Sequence, residues 1–204
     1  MINRECINLI YFGRITESKN IELIIKVLSV LIDNGYKATL GLIGGCSETY
    51  RQRLLACKRE MHLPSGSVIF HGKKTFDFIA SKLGSAHYFV FPSEEKKEGH
   101  SNSLTEAMAF GVVPIVSPAG FNKSICGDGR LVVSEISEMQ FANKIMEIES
   151  SGKWDYFSHF VYNRVIANFT EVQALESLKL EADYTTTSVD EDGVRNALRH
   201  YGLI

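Results

Sequence analysis

Short apolar runs rich in β-branched and aromatic residues recur along the chain, with helical stretches between them. They read INLIYF (Ile7–Phe12), ATLGLI (Ala38–Ile43), SVIFH (Ser67–His71), YFVF (Tyr88–Phe91) and VVPIV (Val112–Val116), with a weaker RLVV at Arg130–Val133. Runs that are apolar throughout, rather than alternating, suit strands buried on both faces of a parallel sheet. Between the first two lies SKNIELIIKVLSVLIDNG, where Ser18 can cap the helix start and Gly35 can supply the left-handed residue after its end. Further helices are expected over Glu48–Met61, over Phe76–Leu83 with Gly84 as the stop, and from Ser103 to Gly111. This alternation predicts an α/β fold: a single doubly wound, Rossmann-like parallel sheet of about six strands, with helices on both faces and right-handed crossovers.

After Val133 the pattern is helical only, over Ile136–Ser150, Asp155–Ala167 and Val172–Tyr184. A polar stretch, TTTSVDEDG, then opens the last twenty residues. The expected organisation is therefore one domain over residues 1–184, ending in a helical segment, and a C-terminal tail over 185–204.

Composition narrows the class without adding a function. Of 204 residues, 45% are apolar and 23% charged, as in ordinary folded domains. The net charge of -2 gives no basic footprint for nucleic acid. Cys6, Cys46, Cys57 and Cys126 are far apart, and the histidines show no ligand spacing around them, so a reduced, cytoplasmic protein without a metal site is expected. No apolar run is long enough to span a bilayer.

In an open parallel sheet, ligands bind beyond the carboxyl ends of the strands. There the sequence places Gly13-Arg14, Gly44-Gly45, Gly72-Lys73-Lys74, Pro92-Ser93 and Ser117-Pro118-Ala119-Gly120 after successive strands. Glycines admit close backbone approach, and Arg14, Lys19, Lys73 and Lys74 add positive charge, so an anionic ligand is implied. Arg14 and Lys19 bracket the first loop and can reach a diphosphate there; ordinary solvated charges beside Glu17 and Glu22 are the alternative.

The stretch EGHSNSLTEAM, Glu98–Met108, sets two glutamates eight positions apart. SLTE reads as a capping box, in which Ser103 and Glu106 exchange bonds with each other's amides. That accounts for Glu106 but not for Glu98 or Gly99. The small polar residues before the helix offer free amides for phosphate.

These residues resemble a known family. EGHSNSLTEAMAFGVVPIV is similar to the E-x7-E region of retaining GT-B glycosyltransferases of the family 4 type (glycosyl transferases group 1), matching at Glu98, Gly99, Asn102, Glu106, Ala107, Met108, Ala109, Gly111 and Pro114. YFGRITESKNIELII is similar to the family's G-R-x4-K segment through Gly13, Arg14 and Lys19, and GLIGG, VIFHGKK, HYFVFPS and GDGRLVV follow in the family's order. The resemblance covers roughly residues 5–184 and implies the donor-binding, C-terminal half of such an enzyme.

It implies retaining transfer from a nucleotide-diphosphate sugar, such as a UDP- or GDP-sugar, in glycan or polysaccharide biosynthesis, with no further cofactor or metal. Glu98, Arg14 and Lys19 take the catalytic roles: Glu98 contacts the donor sugar, and Arg14 and Lys19 hold the diphosphate. The implied donor-binding set adds Gly13, Gly72, Lys73, Gly99, His100, Ser101, Asn102, Ser103, Leu104 and Glu106, with amides of Ser101–Leu104 on phosphate and Glu106 on the ribose hydroxyls. AGFNKSI departs from the pattern, with Lys123 and Ser124 where relatives often carry a glutamate. The family's acceptor-binding domain has no counterpart in these residues. A separate domain or subunit is the expected partner, with peripheral attachment to the inner membrane surface through it. A noncatalytic nucleotide-sugar-binding or scaffolding subunit is the alternative. A dinucleotide-dependent dehydrogenase fits poorly, because GRITESK lacks G-x-G-x-x-G.

Overall fold

The computed structural model describes residues 5–94 and 99–168. The chain divides into two compact units, Met1–Val165 and Ile166–Ile204, and the first holds the sheet. The expected helix at Val172–Tyr184, the tail at 185–204 and Glu98 lie outside the described residues.

The apolar runs form β1 (Ile7–Phe12), β2 (Ala38–Ile43), β3 (Val68–Gly72), β4 (Tyr88–Phe91) and β5 (Val113–Val116), all parallel, in the order β3-β2-β1-β4-β5. Every residue of β4 and β5 is buried, as continuous apolar strands require. Tyr11, Phe89 and Phe91 stack with ring centroids 5.6–6.3 Å apart, which packs β1 against β4 at the centre of the sheet. The sixth expected strand does not form. Gly129–Leu131 is a short 3-10 turn, and only Val132 bridges Val116 beside β5. Asp128 turns the chain there by accepting from the Arg130 amide at 2.8 Å, which leaves too few residues for a ladder.

The helices between strands are α1 (Ile21–Asp33), α2 (Glu48–Glu60), α3 (Phe76–Leu83) and α4 (Asn102–Ala109). After β5 come α5 (Asn122–Cys126), which the sequence reading missed, α6 (Glu138–Ser150) and α7 (Trp154–Asn168). Successive right-handed crossovers from β1 through β3 put α1 and α2 on one face; the return to β4 carries α3 and α4 to the other. α6 packs on α1 and β5.

Helix α1 buries Ile21, Leu23–Ile25, Val27–Ser29 and Leu31 and ends as expected, with Gly35 and Tyr36 amides returning to the Ile32 and Leu31 carbonyls at 2.9 and 3.0 Å. Its start differs from expectation. Ser18 lies in a 3-10 turn, Glu17–Lys19, and Asn20 is the N-cap without a side-chain cap bond. The cap is instead supplied from α2, where Tyr50 Oη accepts the Ile21 amide at 3.3 Å.

The sheet order reverses between β1 and β4, since β1 leads outward to β2 and β3 while β4 leads the other way to β5. The chains leaving those two strands diverge and open a crevice at their carboxyl ends.

Candidate functional site

Three adjoining clefts run along the carboxyl edge of the sheet. The first, of about 340 Å³, lies at the β1/β4 reversal and is lined by Tyr11, Gly13, Arg14, Lys19, Phe91 and His100–Ser103. The second, of about 420 Å³, shares Arg14 with it and continues past Ile15–Glu17 to Gly45–Ser47, Thr49 and Tyr50. The third, of about 410 Å³, shares Ile15, Gly45 and Cys46 with the second and reaches Gly44, Glu48, Arg51, Phe70, His71, Gly72 and Lys73. Shared walls make them sections of one groove.

At the end of β1 the chain must turn sharply and stay close to the loop after β2. Gly13 has φ +134 and Gly44 φ +157, and a Cβ on Gly44 would collide with the Gly13 carbonyl. Arg14 follows, exposed at the junction of the first and second clefts. Lys19 is not a solvated surface charge: it is 6% exposed, with Nζ 5.6 Å from the centroid of the Phe91 ring.

The loop carrying these cations is braced from both sides. Asn20 Nδ2 donates to Glu94 Oε1 at 2.6 Å, and the Glu94 amide donates to the Ser18 carbonyl at 3.2 Å, which ties the loops after β1 and β4 together. From α2, Tyr50 Oη donates to Glu22, while Arg53 pairs with Glu17 and, at 3.1 Å, with Glu22 Oε1. The Glu22 Oε1 atom is buried without a bond of hydrogen-bond geometry, so its contact with Arg53 is an ion pair only. Burial and the Glu22 carboxylate push the Tyr50 phenol far up, keeping it the proton donor. No motif marked Tyr50; an aromatic one turn into α2 opposite α1 was the only signal.

The start of α4 departs from the expected capping box. Ser101, not Ser103, is the N-cap, and its Oγ accepts the Leu104 amide at 3.4 Å. Ser103 Oγ instead lies 3.2 Å from Ser101 Oγ. The helix begins two residues earlier than SLTE suggests, so Glu106 stands at the fifth helical position, beyond reach of the cap. Among the described residues Glu106 has no hydrogen-bond or ion-pair partner, and its half-buried carboxyl is pushed above the usual carboxylate range by desolvation. Leu104 is fully buried in the core, and its amide is already engaged by Ser101. This leaves the amides of Asn102 and Ser103 as first-turn donors at the cleft.

Glu106 and the buried Leu104 line none of the three clefts, and the other expected residues that are described fall into two groups. Gly13, Arg14, Lys19, His100, Ser101, Asn102 and Ser103 converge on the first cleft, with Gly99 exposed in the loop just before them. Gly72 and Lys73 are apart from these, in the third cleft beside Gly44, Gly45 and Cys46. There burial and the neighbouring Lys82 and Lys74 hold the His71 imidazole below its ordinary range.

The sequence profile of the glycosyl transferases group 1 family matches residues 2–163. The chain belongs to this family. No curated protein matches the sequence. Among solved structures, sucrose-phosphate synthase from Thermosynechococcus elongatus superposes with a TM-score of 0.73 at 25% identity, covering 85% of this chain and 44% of that one. The C-terminal domain of the glycosyl transferase group 1 protein LpcC from Francisella tularensis gives 0.69 at 23% identity, covering 80% and 86%. The pneumococcal O-GlcNAc transferase GtfA, solved in complex with UDP and GlcNAc, gives 0.69 at 16% identity, covering 84% and 34%. The domain thus has the Rossmann-like fold of one half of a GT-B glycosyltransferase, and the chain spans less than half the length of the sucrose-phosphate synthase and GtfA chains.

Proposed function

We propose that this chain is the donor-binding half of a glycosyltransferase, which holds a nucleotide-diphosphate sugar for retaining transfer of its glycosyl group to an acceptor. The observation that carries this reading is the convergence of Arg14, the buried Lys19 and the start of α4 on one cleft at the β1/β4 reversal. Transfer breaks the bond between the sugar's anomeric carbon and the diphosphate, whose oxygens gain negative charge as it leaves. Fixed cations and first-turn amides stabilise that charge without reorganising. Arg14 offers a planar fork and Lys19 a point charge, and the low-dielectric wall of Phe91 strengthens the latter.

The groove continues past Arg14 toward Gly44–Cys46, Gly72 and Lys73, which gives the nucleoside a backbone-rich channel one cleft away from the diphosphate. Glu106 takes the ribose hydroxyls, as an acceptor with no competing partner among the described residues. Glu98 takes the sugar, by resemblance to the family. The pneumococcal transferase GtfA, solved with UDP and GlcNAc, makes a UDP-sugar the first donor to try. The acceptor-binding half is a separate domain or subunit, and polysaccharide biosynthesis at the cytoplasmic membrane surface is the setting the family suggests.

The test is calorimetric titration of the chain with UDP- and GDP-sugars. Saturable binding that weakens on Arg14→Ala or Glu106→Ala is expected, and no binding at millimolar ligand would sink the reading. The alternative reading is a nucleotide-sugar-binding subunit without catalysis. It predicts binding but no transfer when a candidate acceptor domain is added.

A further inference from the structure

Beside the far end of the groove, β3 and α3 carry a patch that the donor reading leaves mostly unused. Lys74 Nζ lies 5.1 Å and Lys82 Nζ 5.5 Å from the centroid of the Phe78 ring, so two ammonium groups are held beside one half-buried aromatic. The His71 ring meets Phe78 edge-on, with centroids 5.2 Å apart. His71 and Lys82 share a shallow groove of about 190 Å³ with Ile69, on a floor that includes Ile10 and Gly41. Two large apolar side chains stand out here, Ile69 at 46% and Phe76 at 51% exposure.

The charge around these side chains is of one sign. Lys73, Lys74 and Lys82 are exposed and form no ion pair among the described residues. Asp77 is the only carboxylate between Ile69 and Ala86. A chain of net charge -2 thus gathers three lysines against one aspartate around exposed apolar tips.

This combination selects the partner. The shallow groove is smaller than the roughly 300–1,000 Å³ of pockets that enclose a small ligand. Protein interfaces deplete lysine and rely on tryptophan, tyrosine and arginine anchors, and residues 69–86 contain none of those three. Separate apolar tips among lysines suit a lipid surface instead: the tips enter the headgroup layer, and ammonium groups on flexible stems reach the phosphates. We propose that the β3/α3 edge, through Ile69, Phe76, Lys74 and Lys82, docks this chain directly on an anionic lipid bilayer. The contact belongs to the chain itself. It needs neither a partner subunit nor a bound donor, so it stands apart from the nucleotide-sugar reading.

The experiment is co-sedimentation of the full chain with sucrose-loaded vesicles at about 0.1 M salt, where charges act over about 10 Å. The vesicles are pure phosphatidylcholine, or phosphatidylcholine with about one-third phosphatidylglycerol to set a negative surface potential. Each lysine near such a surface favours partitioning by about fivefold, so the chain should prefer the anionic vesicles by about a hundredfold. Lys73 also lines the third cleft and is left unaltered. Lys74→Ala combined with Lys82→Ala should lower partitioning about 25-fold. Phe76→Ala should lower it about fivefold, since half of that side chain is already covered. Thermal melts of these variants should stay close to that of the unaltered chain, because the altered side chains are exposed. Phe76→Trp reads insertion: the chain's one native tryptophan, Trp154, is 4% exposed, so a blue shift on adding anionic vesicles reports position 76. A folded chain that ignores anionic vesicles, equal binding to both compositions, or binding unchanged by the paired lysine substitutions overturns the inference. Binding to soluble polyglutamate as tight as to vesicles, without a blue shift in Phe76→Trp, overturns it in favour of an acidic protein partner. Calorimetry with UDP-glucose tests the donor cleft separately, so failure of either reading leaves the other standing.

Discussion

The two ends of the groove are built differently. At the β1/β4 end the wall carries charged side chains: Arg14 and Lys19 come from a loop clamped by Tyr50, Arg53 and Asn20. At the β2/β3 end glycines 44, 45 and 72 share the walls with Cys46, Phe70, His71 and the Glu48–Arg51 ion pair, with Lys73 exposed at the rim. A charge recognises a charged ligand strongly only if it is fixed and partly withdrawn from water, which requires a rigid frame behind it. Backbone walls recognise shape and amides, and they tolerate loss of any one side chain. Substitutions at the first end should therefore be costly for donor binding, and those at the second end nearly silent unless they touch a glycine.

The largest effect is expected from Lys19→Ala or Arg14→Ala, each removing a charge-assisted contact of about 1.5–3 kcal/mol, roughly 10- to 150-fold in donor affinity by calorimetry. Equal, small losses from Arg14, Lys19 and Lys73 variants would break the comparison. Next in size is Gly44→Ala, where the added methyl meets the Gly13 carbonyl and the backbone leaves a region that suits glycine. It should cost about 1–3 kcal/mol of stability in urea denaturation and distort the turn that places Arg14. Tyr50→Phe removes the bond that caps α1 and the one to Glu22. A loss of about 1 kcal/mol is expected, with a severalfold fall in donor affinity because the Lys19 loop loosens. Lys73→Ala, an exposed rim charge, should change affinity by less than about fivefold.

The strands were legible because residues such as those of Tyr88–Phe91 are buried on both faces and so must be apolar throughout. β1, β2 and β4 fall on their expected residues, and β3 and β5 within one. The failures are instructive. RLVV has the composition of a strand, but Asp128 and Gly129 begin a tight turn that only a local side-chain bond reveals. SLTE fits a capping box by spacing, yet Ser101 two residues earlier also fits an N-cap and wins, because the helix starting there buries Leu104, Ala107 and Met108 together. Arg14 and Lys19 were legible as a pair of cations, but not as one exposed and one buried. That difference depends on Phe91, brought in by β4 from seventy residues away in sequence. Tyr50 and Arg53, the brace from α2, are marked by no motif, since their partners Ile21, Glu17 and Glu22 lie about thirty residues away in sequence.

Glu106 gives the smallest effect and the most discriminating one, because stability and binding should move in opposite directions. Burial raises its folded-state pKa above the unfolded value, so the folded chain holds this proton more tightly than the unfolded chain does. Its contribution to stability is then fully present below the unfolded pKa near 4.3 and is lost as pH rises through the raised folded value. At neutral pH the ionised carboxylate, without a partner among the described residues, is a net cost, reduced by its access to solvent. Glu106→Gln should therefore raise stability slightly at pH 7, by well under about 1 kcal/mol, and the gain should vanish near pH 4. Donor affinity should fall in the same variant, since an amide is a weaker acceptor than a carboxylate for ribose hydroxyls. Thermal melts at the two pH values, set beside calorimetry at pH 7, read both. A residue retained at a cost to stability and needed for binding belongs to the site; loss of stability with unchanged affinity would instead make Glu106 a structural residue of α4.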